Sequence, residues 1–353
     1  MLQPNPIQYE EPCPSCSLLL NVTEERLFTL VKCPTCSSVF RLKTKFGNYE
    51  FLDVLGRGGC GRVLKARLLD TNEEIALKVL ERSHPDYNES LHFLHNEAEF
   101  AKIVKDQSIV RVLRLEEDER GARLEMELMR GGSLHDLICS GGKIDEKELL
   151  KIGFQIGHAL SVAFDKGIIH RDIKPANILF NQAREAKLAD FGLARSITSG
   201  STVTPIEIEP HIMATPDYVS VEILAGHAGD FRSDIYALGG SLYHGVTGRP
   251  PFVTDGLLAA ELISIKQNFP LMSSTTEDLH SATTALINRM LDPDPQRRFS
   301  SYNELKIAFR VALNHLERVK VRAVKPQKQE RDPIKGFFGK FQKKKSKTGL
   351  SRS

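Results

Sequence analysis

The residues that first suggest chemistry are four cysteines near the N-terminus. Cys13 and Cys16 form one CxxC pair, Cys33 and Cys36 form a second, and 16 residues lie between the pairs. Each CxxC turn presents two thiolates to one side, so two turns can complete a tetrahedron around Zn²⁺. The alternative is a pair of redox-active or unliganded motifs. Because the first residues lack the pattern of an export signal, we expect a structural zinc ribbon that needs metal to fold.

A second candidate is the glycine-rich segment Gly56-Arg57-Gly58-Gly59-Cys60-Gly61-Arg62-Val63. A glycine-rich hairpin lets backbone N–H groups approach phosphate oxygens, because glycine has no Cβ in the way. The same spacing by itself also occurs in dinucleotide-binding folds and in ordinary glycine hairpins. Here a strand follows the glycines, and Ile75-Ala76-Leu77-Lys78 lies further on. That order favours a phosphate-binding hairpin over a dinucleotide fold.

Two segments in the middle of the chain carry carboxylate, amide and lysine side chains. They are His170-Arg171-Asp172-Ile173-Lys174-Pro175-Ala176-Asn177 and Asp190-Phe191-Gly192. Together with the glycine-rich segment and Lys78, they resemble bacterial-type (Hanks-type) protein serine/threonine kinases in order and spacing, from about Tyr49 to Leu316. The resemblance implies a bilobal kinase fold, ATP as phosphoryl donor, Mg²⁺ or Mn²⁺ as the metal, and protein substrates.

The resemblance also implies roles for the catalytic residues. Lys78 would pair with the α- and β-phosphates and would be held by Glu97, with Glu99 as the competing partner. Asp172 would accept the proton of the acceptor hydroxyl or orient it. Lys174 would neutralise the transferred phosphoryl group. A lysine two residues after the catalytic aspartate resembles the serine/threonine form of the family rather than the tyrosine form.

Metal and nucleotide contacts are implied in the same way. Asn177 and Asp190 would supply the hard oxygen ligands that Mg²⁺ requires. The residues that would contact ATP are Leu55, Gly56, Gly58, Gly61, Val63, Ala76, Lys78, Glu127, Met129 and Leu179.

The segment between Asp190 and Glu222 resembles an activation segment. Family members with an arginine directly before the catalytic aspartate, here Arg171, commonly use a phosphate on this segment to order it. The hypothesis is therefore activation by phosphorylation, most simply autophosphorylation, and the other interpretation is a merely hydrophilic loop. Thr202 and Thr204 are the preferred sites, and Thr215 is assigned to supporting Asp172 and Lys174.

One position departs from the family pattern. Where the family usually has Ala-Pro-Glu, the chain has Ser220-Val221-Glu222. The glutamate is kept and is expected to pair with Arg298, but the rigid proline is missing, which puts the peptide-docking loop in question. Asp234 is expected to anchor the catalytic loop.

Strands followed by helices must position these residues. Alternating apolar residues and turn signals predict strands within 49–81 and 110–129. Apolar periodicity predicts helices over 89–105, 146–164, 233–246, 257–266, 279–291 and 301–316. We therefore expect an α+β protein. It comprises a zinc ribbon with its linker (1–45), a kinase domain (46–317, with a β-rich N-lobe over 46–130 and a helical C-lobe over 131–317), and a disordered basic tail (318–353).

Charge is unevenly distributed along the chain. The overall net charge is +3, whereas residues 318–353 carry 13 basic and 2 acidic residues, which leaves −8 for residues 1–317. Phenylalanines at 337, 338 and 341 precede three lysines, so the tail suggests contact with an anionic membrane or nucleic acid, with a bland solvated tail as the alternative. The ribbon is not markedly basic, which favours a protein partner or an intramolecular role.

The sequence also bears on location and on competing functions. The chain lacks an apolar run of the roughly 18 residues that a membrane helix needs, so we expect a cytoplasmic protein, at most peripheral at the membrane. A pseudokinase scaffold would normally have lost Lys78, Asp172 or Asp190. A nucleic-acid-binding regulator led by the ribbon and tail is the second alternative. Oligomeric state has no signature in the sequence.

Overall fold

The structure is a computed structural model that describes residues 8–23, 30–41, 45–58, 61–119, 121–196, 216–252, 256–268, 272 and 279–324. Several predicted features lie outside these residues. They are Gly59 and Cys60 of the glycine-rich segment, the activation-segment residues Thr202, Thr204 and Thr215, and the tail from 325 onward.

The cysteine-rich segment consists of two hairpins of the same design. Strands β1 (Gln8–Pro12) and β2 (Leu19–Thr23) pair antiparallel, as do β3 (Leu30–Lys32) and β4 (Val39–Arg41). Each six-residue loop begins with a CxxC pair. In the first loop the N–H of Ser17 donates to the carbonyl of Cys13 at 2.8 Å, and Ser37 donates to Cys33 at 3.0 Å in the second. Repeated backbone bonds thus give both loops one geometry.

A six-stranded antiparallel sheet forms the N-lobe. Its strands are β5 (Lys45–Phe46), β6 (Tyr49–Gly58), β7 (Gly61–Leu68), β8 (Glu74–Glu81), β9 (Val112–Asp118) and β10 (Gly121–Glu127), in the order β5-β6-β7-β8-β10-β9. Successive side chains of a strand point to opposite faces. In β8, Ile75 and Leu77 therefore pack in one apolar cluster, whereas Ala76 and Leu80 pack in another with helix α1 (Tyr87–Ile103).

Helices dominate the C-lobe, as predicted. They are α2 (Leu134–Gly141), α3 (Glu146–Asp165), α4 (Val221–Leu224), α5 (Phe231–Thr247), α6 (Ala259–Gln267), α7 (Ser281–Met290) and α8 (Tyr302–Val324). Short strands β11 (Ile168–Ile169), β12 (Ile178–Phe180), β13 (Ala186–Leu188) and β14 (Arg195–Ser196) carry the loops between α3 and α4. Helices α2 and α4 were not predicted individually.

Helix α5 is the central element of the C-lobe. The side chain of Asp230 caps its first turn by accepting a hydrogen bond from the N–H of Arg232, and Gly248, with φ at +75°, ends it. Most of its residues are buried. A Cβ built on Gly239 would lie 2.7 Å from the Cβ of Met290, so α5 and α7 approach as closely as they do only because that position is glycine.

Helix α8 extends further than predicted. It continues through positions 318–324, past residue 317 where the basic tail was expected to begin. The segment contains no glycine or proline, and the first proline beyond it is Pro326, so nothing in the sequence interrupts the helix earlier. Among the described helices, none combines the length and the apolar character needed to cross a bilayer.

A buried ion pair connects α4 to the segment before α8. The guanidinium of Arg298 donates to both carboxylate oxygens of Glu222, at 2.6 and 2.8 Å. It also donates to the carbonyl of Asp292 at 2.7 Å and lies over the ring of Tyr236. The side chain of Arg298 is fully buried. The predicted pairing of these two residues is therefore present, with every bond charge-assisted.

We expect Glu222→Gln to lower the free energy of unfolding by about 3 kcal/mol, because it leaves the buried guanidinium without a countercharge. The control is Glu99→Gln, which removes one partner of an exposed ion pair with Lys102 and should change that free energy by less than about 1 kcal/mol. Both are measured by denaturant unfolding. Equal losses in the two variants would contradict the role given to the buried pair.

Candidate active site

Strand β8 and helix α1 bring the predicted lysine and glutamate together. The Nζ atom of Lys78 donates to Oε2 of Glu97 at 3.0 Å, and both residues are buried. Burial raises the pKa of Glu97, and the ammonium of Lys78 opposes that shift. The competing residue, Glu99, instead pairs with Lys102 on the exposed side of the helix. Of the two candidates, the structure places only Glu97 at Lys78.

Asp190 reaches the same ammonium from the turn after β13. Its Oδ1 atom accepts a hydrogen bond from Nζ of Lys78 at 3.0 Å. Burial raises the pKa of Asp190, but the charge and hydrogen bond of Lys78 outweigh that effect and hold it below its usual value. The backbone of Asp190 has φ at +65°, a conformation that non-glycine residues rarely adopt and that often marks functional turns.

The turn is fixed by the residue that follows. Phe191 is buried, and its ring meets that of His170 edge to face, with centroids 4.5 Å apart. Nε2 of His170 lies 3.0 Å from the carbonyl of Ala189. The catalytic loop and the Asp190 turn therefore pack directly on each other.

Asp172, Lys174 and Asn177 form a compact group in the catalytic loop. Nζ of Lys174 lies 2.8 Å from Oδ2 of Asp172. The side-chain N–H₂ of Asn177 donates to the backbone carbonyl of Asp172 at 2.8 Å and to its Oδ2 at 2.9 Å. Those bonds occupy the donor end of the amide, so the oxygen end is the part of Asn177 that suits a metal ion.

Asp234 anchors the backbone of the catalytic loop. Its carboxylate accepts hydrogen bonds from the backbone N–H groups of His170, at 2.9 Å, and of Arg171, at 2.8 Å. The side chain is buried, and burial raises its pKa while the two N–H donors oppose the shift. Arg171 has φ at +71°, so this anchor stabilises a strained backbone. The geometry agrees with the anchoring role predicted for Asp234.

Several apolar residues predicted to contact ATP also lie together. Ala76 belongs to the buried cluster under the sheet, and the partly buried side chains of Val63, Met129 and Leu179 pack against that cluster. Leu55 is 49% exposed, at the edge of the sheet before the glycine-rich turn. Ala76, Val63, Met129 and Leu179 are therefore gathered around one apolar cluster, as a shared contact with a planar ring would require.

Two of the predicted nucleotide residues have structural duties as well. A Cβ on Gly61 would lie 2.2 Å from the carbonyl oxygen of Val79, so glycine is required there by strand packing, apart from any phosphate. In the register of the hairpin, Gly56 pairs with Val63 and Gly58 with Gly61.

The carboxylate of Glu127 accepts a hydrogen bond from Nζ of Lys187 at 2.7 Å. Because the side chain of Glu127 is engaged in this ion pair, its backbone is the part suited to hydrogen bonding with the nucleotide base.

A cleft of about 320 Å³ opens beside the catalytic loop. Its lining includes Asp172 and Lys174 of the catalytic loop together with Tyr218, Val219 and Ser220. The latter three lie in the loop 216–220, and the sequence analysis named only Ser220 among them, as part of Ser220-Val221-Glu222. Their position at the end of the activation segment, just before Glu222, was the signal that could have identified them.

Two arginines border the same cleft. Arg171 and Arg195 both line it, and β14 places Arg195 opposite Ile169 of β11. Burial and the nearby charge of Arg195 lower the pKa of Arg171. The Nη2 atom of Arg171 donates to the carbonyl of Ala228 at 2.9 Å. The two neighbouring guanidiniums form an electropositive corner, and Arg195 was not among the predicted residues.

The four cysteines also come together. Their sulfur atoms all lie within 4.8 Å of one another, with Cys13 and Cys36 separated by 3.5 Å and Cys16 and Cys33 by 3.6 Å. Four sulfurs bound tetrahedrally at the usual Zn–S distance of about 2.3 Å lie about 3.8 Å apart. The observed set therefore has the donor type and the size that a zinc ion requires.

Comparison with known proteins agrees with this site. The protein kinase domain family matches residues 49–310. Serine/threonine-protein kinase PknB of Mycobacterium leprae (strain TN) is 32% identical over 263 residues, covering 73% of this chain and 42% of PknB. The kinase PknA of Corynebacterium glutamicum is 32% identical over 274 residues, covering 76% and 57%. Serine/threonine-protein kinase PrkC of Bacillus subtilis (strain 168) is 29% identical over 268 residues, covering 76% and 41%.

The aligned region spans between 41% and 57% of the length of these three relatives. The prediction of a kinase with a β-sheet N-lobe and a helical C-lobe is confirmed. The family match covers most of the chain, and the fold assembles Lys78, Asp172 and Asp190 into one site. The chain therefore belongs to the protein kinase family.

Proposed function

We propose that the protein transfers the γ-phosphoryl group of ATP to serine or threonine hydroxyls of other proteins. The observation that carries the proposal is the position of Lys78, whose ammonium lies 3.0 Å from both Glu97 and Asp190. Phosphoryl transfer depends mainly on positioning and on stabilising charge, and this arrangement provides a fixed cation beside a metal-binding carboxylate. The names of the bacterial relatives support serine and threonine as acceptors.

Each residue of the catalytic loop then has a definite task. Asp172 orients the acceptor hydroxyl or takes up its proton, and Lys174, 2.8 Å from it, neutralises charge on the transferred group. Asn177 and Asp190 would hold Mg²⁺ through oxygen atoms. When bound, that ion neutralises the developing charge on the phosphates. A pseudokinase is the less favoured alternative, since Lys78, Asp172 and Asp190 are all present and brought together.

For the N-terminal hairpins we propose a structural zinc ion held by Cys13, Cys16, Cys33 and Cys36. The support is the compact sulfur cluster and the repeated loop geometry. Of the four thiols, two are buried and two are exposed, and Ser38 Oγ lies 3.0 Å from the sulfur of Cys36. Unpaired thiolates this close would repel one another, so a cation is needed to hold them in this arrangement.

We further propose that phosphate on the activation segment raises activity, with autophosphorylation as its source. The corner formed by Arg171 and Arg195 supports this, because a phosphate accepts charge-assisted hydrogen bonds from guanidinium groups. Thr202 and Thr204 remain the preferred sites. The proposal also includes a cytoplasmic signalling role. The ribbon would contact a protein, and the tail would contact an anionic membrane or nucleic acid. The alternative is a nucleic-acid-binding regulator led by the ribbon and the tail.

Lys78→Met and Asp190→Ala should each lower the rate of phosphate transfer to protein substrates by about 10³-fold, because each removes part of the charge that stabilises the transition state. Lys65→Met is the matched control. Lys65 lies on the neighbouring strand β7 and pairs with Glu74 rather than with the site, so its loss should change the rate by less than about twofold. The assay follows labelled phosphate from ATP into protein. Wild-type rates in either site variant would contradict the proposal.

We expect about one zinc ion per chain in protein purified without added metal. Cys16→Ser and Cys36→Ser should abolish the stoichiometric metal, whereas Cys139→Ser, which changes an exposed cysteine outside the cluster, should retain it. Elemental analysis and thiol titration provide the measurement. Protein without metal and with all four N-terminal thiols reactive would reject the site.

Active enzyme should carry phosphate between positions 195 and 211, and the Asp172→Asn protein should not. Phosphatase treatment should lower the activity, and Arg195→Gln should reduce that difference because one guanidinium of the corner is lost. Arg184→Gln, which changes a surface arginine paired with Glu148, is the control. Mass spectrometry and activity assays decide the matter. An activity unchanged by phosphatase would argue against the switch.

A further inference from the structure

One lysine of the C-lobe is buried without taking part in the catalytic group. Lys266, near the end of α6, has a fully buried side chain. Its Nζ atom donates to the carbonyl of Val219 at 2.8 Å and to the carbonyl of Asp217 at 3.2 Å. Both acceptors belong to the loop 216–220. A single side chain thus connects α6 to two alternate peptide groups of that loop.

The surroundings of the ammonium are largely apolar and aromatic. It lies over the ring of Phe252, 4.2 Å from the centroid, and 5.5 Å from the centroid of Tyr236. Burial lowers the pKa of Lys266 to about 7, and the carboxylate of Asp217 opposes that shift. Burying an ammonium against mainly neutral partners is unfavourable for folding. The hydrogen bonds to the loop 216–220 are therefore the favourable interactions that Lys266 makes at this position.

The loop that Lys266 holds is a wall of the catalytic cleft. Tyr218, Val219 and Ser220 line the same cleft as Asp172 and Lys174. The hydroxyl of Tyr218 lies 2.7 Å from Nδ1 of His244 on α5, which fixes the loop at a second point. A chain segment that presents a hydroxyl to Asp172 has to pass along this wall.

We propose that Lys266 is a positioning residue for the acceptor protein: its two hydrogen bonds fix the backbone of the loop 216–220, and so the surface against which the acceptor chain docks. The inference rests on the proposed transfer to serine or threonine. Position 221, directly after the loop, is valine where the family usually has proline, so the restriction on φ that a proline would impose there is missing. Within the described part of the chain, the hydrogen bonds and ring contacts of Lys266 go to Asp217, Val219, Tyr236 and Phe252, which are not among the predicted ATP-binding residues, so we expect its effect to fall on the acceptor.

The test uses the full chain and a threonine peptide chosen from a degenerate library by phosphorylation with the wild-type enzyme. Lys266→Met keeps the length and apolar stem of the side chain but removes the charge and the three donors. Gln267→Met changes the adjacent, exposed position of the same helix and is the matched control. The readouts are KM and kcat for the peptide, KM for ATP, ATP hydrolysis without peptide, and the melting temperature.

We expect Lys266→Met to raise KM for the peptide by about tenfold or more, the size that fits the loss of charge-assisted hydrogen bonds. KM for ATP and peptide-independent ATP hydrolysis should stay within about twofold of wild type, and Gln267→Met should match wild type throughout. The melting temperature should fall only modestly: two carbonyls of the loop lose their donor, which is destabilising, but the unfavourable burial of an ammonium is removed with it.

Two results would overturn the inference while leaving the kinase assignment intact. One is an unchanged KM for the peptide. The other is a parallel loss of peptide transfer, ATP hydrolysis and thermal stability, which would mean that Lys266 serves only the fold. If Lys266→Met does not fold, Lys266→Gln, which is too short to span both carbonyls, is measured with the same criteria. Failure of wild type to phosphorylate any library peptide would instead overturn the proposed function, and this inference with it.

Discussion

The catalytic geometry depends on one buried ammonium. The side chain of Lys78 is only 10% exposed, and a charge in such a place is unfavourable unless anionic groups compensate it closely. Glu97 from α1 and Asp190 from the turn after β13 provide that compensation, each at 3.0 Å. Three elements from distant parts of the chain are therefore held in one arrangement by the need to pair a single charge. A shift of α1 or of the turn would remove one of the two carboxylates and leave the buried ammonium less well compensated, so the positions of the two elements are coupled through Lys78.

The C-lobe positions its loops by a different use of buried charge. Asp234 accepts hydrogen bonds from two consecutive backbone N–H groups of the catalytic loop, and Lys266 donates to two carbonyls of the loop 216–220. In both cases a helix supplies one charged side chain, and a loop without regular structure supplies the backbone partners. Such loops have few backbone bonds of their own, and the charged side chain satisfies groups that burial would otherwise leave unpaired. The helices of the C-lobe thereby hold both walls of the cleft in place.

Local sequence patterns predicted most of the scaffold, because apolar periodicity and turn residues act over short distances. Strand β6 begins at Tyr49, where the predicted strand region begins. Glu97, which the family resemblance favoured over Glu99, lies on the buried side of α1. Helix α2 was missed although Ser133 and Asp136 form a capping box at its start, because the helix has only eight residues. Lys266 could not have been identified. A lysine on a short helix is normally solvated, and only the long-range packing of Phe252 and Tyr236 around it decides that it is buried.

A proline at position 221 and the buried Lys266 would restrict the loop 216–220 in different ways. A proline restricts φ at its own position and does so wherever the rest of the domain lies. Two hydrogen bonds from Lys266 restrict the loop only while α6 keeps its place, since the donor belongs to that helix. If Lys266 positions the acceptor as proposed, the acceptor surface is coupled to α6, where the side chains of Leu258 and Ile265 are exposed. A protein that contacted α6 could then shift the loop 216–220 through Lys266 without touching the cleft. A proline at position 221 would not couple the loop to α6 in this way.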